Sequence, residues 1–309
     1  RDEKVVLKRF DDYWGEPAKC ENVVIKTIPD ASARVTALQT GEVDIIDGID
    51  TNMVDQLKAD SNLSVNLTEG MNINYMGYNT EKLTDPEVRL ALSEAINVDE
   101  LVKGLYGDFA SKADSILPTF LPGYSKEVKQ VSYDPEKAKA TLASKGVTKL
   151  HVITYSNARP YNTATGKTLA ESVQGYLSAV GVECNIDSYD WTTYKDKITA
   201  GDYDVCFYGW NGDNGDPDNF LNLLSDPTPA MNVARLKDET YNKFIAEGNA
   251  TENGDARNKV YADAEKYLAS IAVWLPISHQ QNITANRTNI KNFFYHPTAT
   301  VDLAIVEKN

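Results

Sequence analysis

Residues 208–220, YGWNGDNGDPDNF, set three aspartates, Asp213, Asp216 and Asp218, among glycines and asparagines directly behind an apolar run. Carboxylates in such a loop can ligate a metal, work as general acid and base, cap a helix, or hold a cationic guest. A calcium loop needs oxygen ligands at alternate positions and an acid at position twelve. Counted from Asp213, position three is Gly215, position five is Pro217 and position twelve is Leu224, so the pattern fails. A glycosidase-type pair needs a second acid across a cleft, and no residue is singled out as its partner. Asp216 precedes Pro217 and the apolar NFLNLL, which makes it the natural N-cap of a helix beginning at Pro217. Asp218 then falls in the first turn, where a carboxylate meets the positive end of the helix dipole. Asp213, between Gly212 and Gly215, has no such duty and is the acid expected to meet a ligand. Its complement is Arg159, in SNARPYN (156–162), flanked by Pro160 and Tyr161. Opposite charges on two loops suit a zwitterionic guest. Trp210 and Tyr161 could wall the space between them, although Trp210 also reads as a core residue.

Other chemistries find no footing. The chain has no G-x-S-x-G, no H-E-x-x-H and no phosphate-cradling G-x-x-x-x-G-K-[ST]. Its three histidines, His151, His279 and His296, read as structural imidazoles with their hydrogen bonds satisfied. Cys20, Cys184 and Cys206 are odd in number without C-x-x-C spacing, and Cys184 and Cys206 read as small hydrophobes in buried strands. A protein that binds without turning over, with no cofactor and no metal, is the expectation.

The elements that must carry these loops alternate. YDPEKAKATLASKG (133–146) has Asp134 as N-cap, Pro135 in the first turn and Gly146 as stop, which predicts a helix. Strands follow at 149–155, 182–189 and 203–210, separated by helices at 163–181 and 190–201. Helices of this length between strands imply right-handed crossovers in a mostly parallel sheet, an α/β class. The loops after 149–155 and 203–208 then leave the carboxyl ends of their strands, where such sheets bind ligands. Nearer the start, strand 22–28, helix 30–41 and strand 43–47 form a small strand–helix–strand unit, preceded by RDEKVVLKRF, which reads as the inside of a strand. An alternating strand at 71–79, helices at 85–96, 98–106, 238–248 and 255–270, a strand at 272–278 and an extended tail at 290–306 complete the reading.

At 309 residues the chain is long enough for one large domain or two lobes. With 31 basic and 45 acidic residues its formal charge is −14, which argues against nucleic acid or an anionic membrane surface as partner. No apolar run approaches the roughly 18 residues that a membrane span requires.

Taken in order along the chain, DDYWGEPAKCENVVIKTIPDASARVTALQTGEVDII (11–46), YNTEKLTDPEVRLALSEAIN (78–97), SYDPEKAKATL (132–142), ARPYN (158–162) and GWNGDNGDPDNF (209–220) resemble the peptide-binding proteins of ABC importers. More narrowly, they are similar to the dipeptide-binding branch of the family-5 extracellular solute-binding proteins. The resemblance implies a two-lobed, periplasmic-binding-protein-like fold (type II) whose cleft closes over its ligand. Members of the family are longer, so it also implies that one lobe is incomplete, the chain beginning inside lobe one with about the first third absent. Residues 1–72 would then be a remnant of lobe one, 73–280 lobe two, and 281–309 a return to lobe one. In that branch the residue matching Asp213 holds a peptide's α-ammonium and the one matching Arg159 its α-carboxylate, while those matching Tyr161, Gly209 and Trp210 line the same pocket. The implied function is capture of dipeptides or short peptides for delivery to an ABC permease by a monomer, lipid-anchored on the extracellular face of the membrane or free in a periplasm. Receptors for oligopeptides, a nickel chelate or haem are the alternatives within the family. A carboxylate-dependent hydrolase and a scaffold or adhesion role are those outside it.

Overall fold

The computed structural model describes residues 3–225, 227–228 and 230–309. They fall into two compact units, Arg1–Gly70 with Gln281–Asn309, and Met71–Gln280.

The first unit opens with an antiparallel ribbon of β1 (Lys4–Lys8) and β2 (Asn22–Lys26), in register from Lys4↔Lys26 to Lys8↔Asn22. Arg1 and Asp2, the start of the predicted opening strand, lie outside the described residues. Helix α1 (Ala31–Thr40) begins where the Asp30 carboxylate accepts from Ala33 N at 2.7 Å, and ends at Gly41 with φ 79°. β3 (Ile45–Ile46), α2 (Val54–Lys58) and β4 (Leu63–Glu69) follow. The expected strand–helix–strand order is present, but β2 and β3 belong to different sheets. β3 and β4 both pair with the returning segment Gln281–Arg287. Val35, Leu38, Ile46, Val54 and Leu57 are buried here, whereas Val5, Val6, Leu7, Val24 and Ile25 on the ribbon are exposed.

The second unit is built on β5 (Asn72–Tyr78), α3 (Pro86–Glu94), α4 (Val98–Tyr106), β6 (Ala110–Lys112), α5 (Pro135–Ser144), β7 (Lys149–Tyr155), α6 (Gly166–Ala179), β8 (Glu183–Tyr189), α7 (Trp191–Ala200), β9 (Val205–Asn211), α8 (Asp218–Leu221), α9 (Glu239–Ala250), α10 (Asp255–Ile271) and the first half of β10 (Trp274–Arg287). The chain then closes the first unit with two short strands, β11 (Ile290–Lys291) and β12 (Glu307–Lys308), so the tail is less extended than expected. Among the described residues no helix is long and apolar enough to cross a membrane.

The sheet of the second unit is mixed, which corrects the mostly parallel expectation. β7 runs parallel to β8 and β9, while β5 lies antiparallel to β9 and to β10. The crossover helices α6 and α7 enforce the parallel set. No crossover links β5 to β9, so nothing constrains their relative direction. β5 is also buried along its whole length instead of alternating. Its polar members are hydrogen-bonded inside: Asn72 Nδ2 donates to Gln280 O at 3.0 Å and Asn74 Nδ2 to Tyr106 Oη at 3.2 Å. Most buried polar groups in a core are paired in this way, although Asn74 Oδ1 has no partner among the described residues. Cys184 and Cys206 are buried and unbridged, and burial pushes their thiols up, to about 11 and about 12.

Candidate functional site

Two loops leave the carboxyl ends of the neighbouring parallel strands β7 and β9. The first carries Arg159. Arg159 N donates to Asn162 O at 2.9 Å and Asn162 N to Arg159 O at 2.8 Å, closing a four-residue turn with Pro160 at its second position, where proline's fixed φ fits. Asn162 is wholly buried. Its Oδ1 accepts from Tyr106 Oη at 2.8 Å and from Ala164 N at 3.2 Å, and its Nδ2 donates to Tyr155 Oη at 2.9 Å. The turn is therefore bolted to the core from below. Beyond it, Thr165 takes φ 71° while its hydroxyl caps α6 through Thr168 N at 3.2 Å. A β-branched residue in that region is strained, and such strain is held only where the surroundings impose it.

The guanidinium of Arg159 lies over the Trp191 ring, with Cζ 3.9 Å from the centroid. At this distance the pair makes a cation–π contact, and a guanidinium carries its N–H donors around its planar edge. Arg159 Nε is buried and has no hydrogen-bond partner among the described residues, and the Tyr161 phenol lies alongside. Burial pushes the Tyr161 phenol far above its ordinary range, so it stays neutral. The Tyr161 ring covers Gly209: a Cβ there would collide with it and stand 2.5 Å from Ile73 O. Only glycine fits this position.

The second loop carries the three aspartates. The regular helix starts at Asp218, one residue later than read, so Pro217 rather than Asp216 stands at its cap position, while the Asp216 carboxylate accepts from Asp218 N at 2.9 Å. Asp216 also takes a bidentate grip from Arg257 of α10, at 2.6 and 3.0 Å. Burial works against its charge, but the guanidinium and the Asp218 N–H outweigh it and hold the carboxyl below its ordinary range. Asp218 is half-buried in the first turn, and burial raises its carboxyl. Asp213 is exposed, and neither it nor Arg159 forms an ion pair among the described residues. Asn219 links the loop together: its Oδ1 accepts from Trp210 Nε1 and from Asp213 N, both at 2.9 Å, and its Nδ2 donates to Asp213 Oδ2 at 3.3 Å.

The five expected residues thus lie along one continuous line of contacts. Arg159 stacks on Trp191, whose ring is 5.5 Å from Tyr208; Tyr208 is 6.5 Å from Tyr161, which covers Gly209; Trp210 then leads through Asn219 to Asp213. Sequence reasoning passed over Trp191, Asn162 and Asn219. Trp191 had a usable signal, since it opens the helix that follows β8, at the same end of the parallel strands. The two asparagines had none, because Asn162 is fixed by Tyr106, far off in sequence, and by Tyr155, and Asn219 by Trp210 and Asp213 across the loop, none at a spacing that marks a cap or turn.

One histidine departs from expectation. His279 is buried and its Nδ1 meets Asn72 O at 2.6 Å, but its Nε2 has no partner among the described residues, so it is only half satisfied. Burial drives its pKa down to about 4, which keeps it neutral. Glu265 on α10 is the converse case, with burial lifting its carboxyl to about 7 although Ser115 Oγ and Ser125 N donate to it. Glu265 borders a cavity of about 70 Å3, shared with Gln130, Leu268 and Trp274, which includes no residue of the two loops.

The family model described as "Bacterial extracellular solute-binding proteins, family 5 Middle" matches residues 1–232. The Dipeptide-binding protein of Escherichia coli (strain K12) is 30% identical over 305 residues, covering 96% of this chain and 57% of that protein. Heme-binding protein A of Haemophilus influenzae is likewise 30% identical, over 310 residues, covering 96% of this chain and 55% of that protein. The solved structure of the ABC transporter-associated periplasmic binding protein DppA from Helicobacter pylori in complex with peptide STSA superposes with a TM-score of 0.84 at 30% identity, covering all of this chain and 62% of that one. The chain therefore spans a little over half the length of the curated relatives it matches. With most of its length matched by the family model, the chain belongs to the bacterial extracellular solute-binding proteins of family 5.

Proposed function

We propose that this chain binds short peptides by their charged ends, Arg159 taking the α-carboxylate and Asp213 the α-ammonium, with Tyr161, Gly209 and Trp210 lining the space between. The protein would capture peptide outside the cytoplasmic membrane, as a lipid-anchored or periplasmic receptor, and pass it unchanged to an ABC permease. The observation that carries this reading is a pair of opposite charges on loops from neighbouring parallel strands, each without an ion-pair partner among the described residues. A guanidinium stacked on an indole can grip a carboxylate through two parallel N–H···O bonds. Each charge-assisted bond contributes about 1.5–3 kcal/mol. The names of the Escherichia coli and Helicobacter pylori relatives support a peptide guest. STSA has four residues, which favours short peptides in general over dipeptides alone. Haem is the second reading, favoured by a relative equally similar in sequence.

Calorimetry on the full-length protein carrying these residues tests the proposal, with Ala-Ala, its C-terminal amide, its N-acetyl form and hemin as ligands. Arg159→Ala is expected to weaken Ala-Ala binding at least about tenfold, the equivalent of about 1.4 kcal/mol. Equal affinity for the amide removes the carboxylate contact, equal affinity for the acetylated peptide removes the ammonium contact, and tight hemin binding without peptide binding favours the second reading.

A further inference from the structure

The Asp213 carboxylate sits on an exposed loop, where a free side chain would sample several rotamers. Its single hydrogen bond among the described residues comes from Asn219 Nδ2 to Oδ2, at 3.3 Å. The same amide accepts from Asp213 N and from Trp210 Nε1. Three bonds from one half-buried side chain fix the backbone entering the loop, one oxygen of the acid and the edge of the neighbouring indole. The other charged groups around the loop are committed elsewhere. Asp216 is bound to Arg257 and accepts from Asp218 N, and Asp218 is half-buried in α8.

We infer that Asn219 is the positioning residue of the ammonium end, holding Asp213 Oδ2 so that Oδ1 is free for the guest while keeping Trp210 as a wall beside it. The inference rests on the peptide reading above. Asn219 touches no ligand; it acts through Asp213 and Trp210, and its contribution is a carboxylate ordered before the guest arrives. A role confined to packing would affect every ligand alike. A positioning role costs ligands that present an ammonium more than those that do not, because only the former use Asp213.

The test is a cycle across protein and ligand, run on the full-length protein. Asn219→Leu preserves bulk and removes all three bonds. It is expected to lower affinity for Ala-Ala about tenfold, to lower that for N-acetyl-Ala-Ala, which can lose only the Trp210 wall, distinctly less, and in an Asp213→Ala background to cost no more than it costs the acetylated peptide. Asn219→Asp keeps both acceptor contacts and so retains the fold should the leucine variant fail. It replaces the donor to Asp213 with a like charge, and two carboxylates at that distance share a proton over part of the pH range. Binding of Ala-Ala by this variant, relative to the parent, is therefore expected to strengthen as pH rises from about 4 to about 6, below the range of about 7.7–8.0 in which the guest's own α-ammonium loses its proton. Equal losses for free and acetylated peptides, or additive losses in the double variant, overturn the inference, as does an unchanged pH profile for the aspartate variant. Should Asp213→Ala itself leave Ala-Ala binding intact, the peptide reading fails first. Loss with Asp213→Ala but none with Asn219→Leu defeats the positioning role alone.

Discussion

The two loops of the candidate site are held by different means. The cation loop is fastened from within: Asn162 is wholly buried and bonded to two tyrosines of the core, and the cation lies on an indole. The acid loop is fastened along the surface, by the half-buried Asn219 and by the Asp216–Arg257 pair reaching to α10. A bidentate clamp must present its fork at a set angle, so a rigid mount serves it. A carboxylate accepts from many directions, and a softer mount is enough.

The sharpest way to break the comparison is Asn162→Leu. It removes the acceptor of the buried Tyr106 hydroxyl, which keeps the bond from Asn74, and the donor to the buried Tyr155 hydroxyl, and it releases the half-buried Ala164 N–H. Each buried unsatisfied group costs about 1–3 kcal/mol, so a loss of about 4 kcal/mol is expected in chemical denaturation. A change below about 1 kcal/mol would mean that the turn is not held from beneath.

Gly209→Ala acts where the loops meet. The added methyl meets the Tyr161 ring and the Ile73 carbonyl, a backbone atom that cannot move without disturbing the β5–β9 pairing. Overpacking of this kind costs about 3 kcal/mol. The loss should appear as reduced thermal stability, with faster amide exchange across residues 159–162.

A pH series separates the two supports. On the cation side, Thr163 reaches Gln280, the neighbour of the half-satisfied His279. His279 is depressed to about 4 in the fold, so its contribution is present above the unfolded value of 6.5 and is lost as pH falls toward 4. On the acid side, α10 carries both Arg257 and Glu265. Glu265 is raised from 4.5 to about 7, so its contribution is present below 4.5 and is lost as pH rises through 7. The shifts are similar in size and opposite in sign, each equivalent to about 3 kcal/mol at most. The parent protein should therefore change little in stability between about pH 4.5 and 6.5, whereas Glu265→Gln should fall steadily as pH drops across that window. Melting temperatures read the effect directly, and a flat profile for the variant would contradict it.

The smallest expected effect is at the Asp216–Arg257 pair. Asp216→Asn keeps an acceptor for Asp218 N but removes the charge facing Arg257, which is itself largely buried. A destabilisation of about 1–2 kcal/mol is expected, confined in hydrogen exchange to residues 211–221 and leaving the 156–165 turn unaffected. Spread of the effect into that turn would show that the loops are not independently mounted.

Much of the second unit was legible in advance because its signals are local. Asp134 with Pro135, and Asp190, announce helices through side chains that bond to the next few backbone N–H groups. Asp216 and Asp218 could be assigned to α8 on the same grounds, which left Asp213 as the acid without a structural duty. Less was legible where the deciding partner is remote in sequence. The antiparallel placement of β5 against β9 joins residues separated by well over a hundred positions, and nothing in either segment states the direction of pairing. The burial of β5 on both faces is likewise a property of what packs against it. In the first unit the ribbon's apolar residues read as an ordinary strand, but they are exposed because little in that unit covers them.

By itself the sequence determined the charges, the caps and the order of strands and helices, since each depends on residues within a few positions of one another. Only the tertiary structure decided that Arg159 lies on Trp191, that Tyr161 seals Gly209 and that Asn162 and Asn219 hold the two loops. Those contacts join groups brought together by packing alone, and a pattern along the chain carries no record of which side chains will share a pocket.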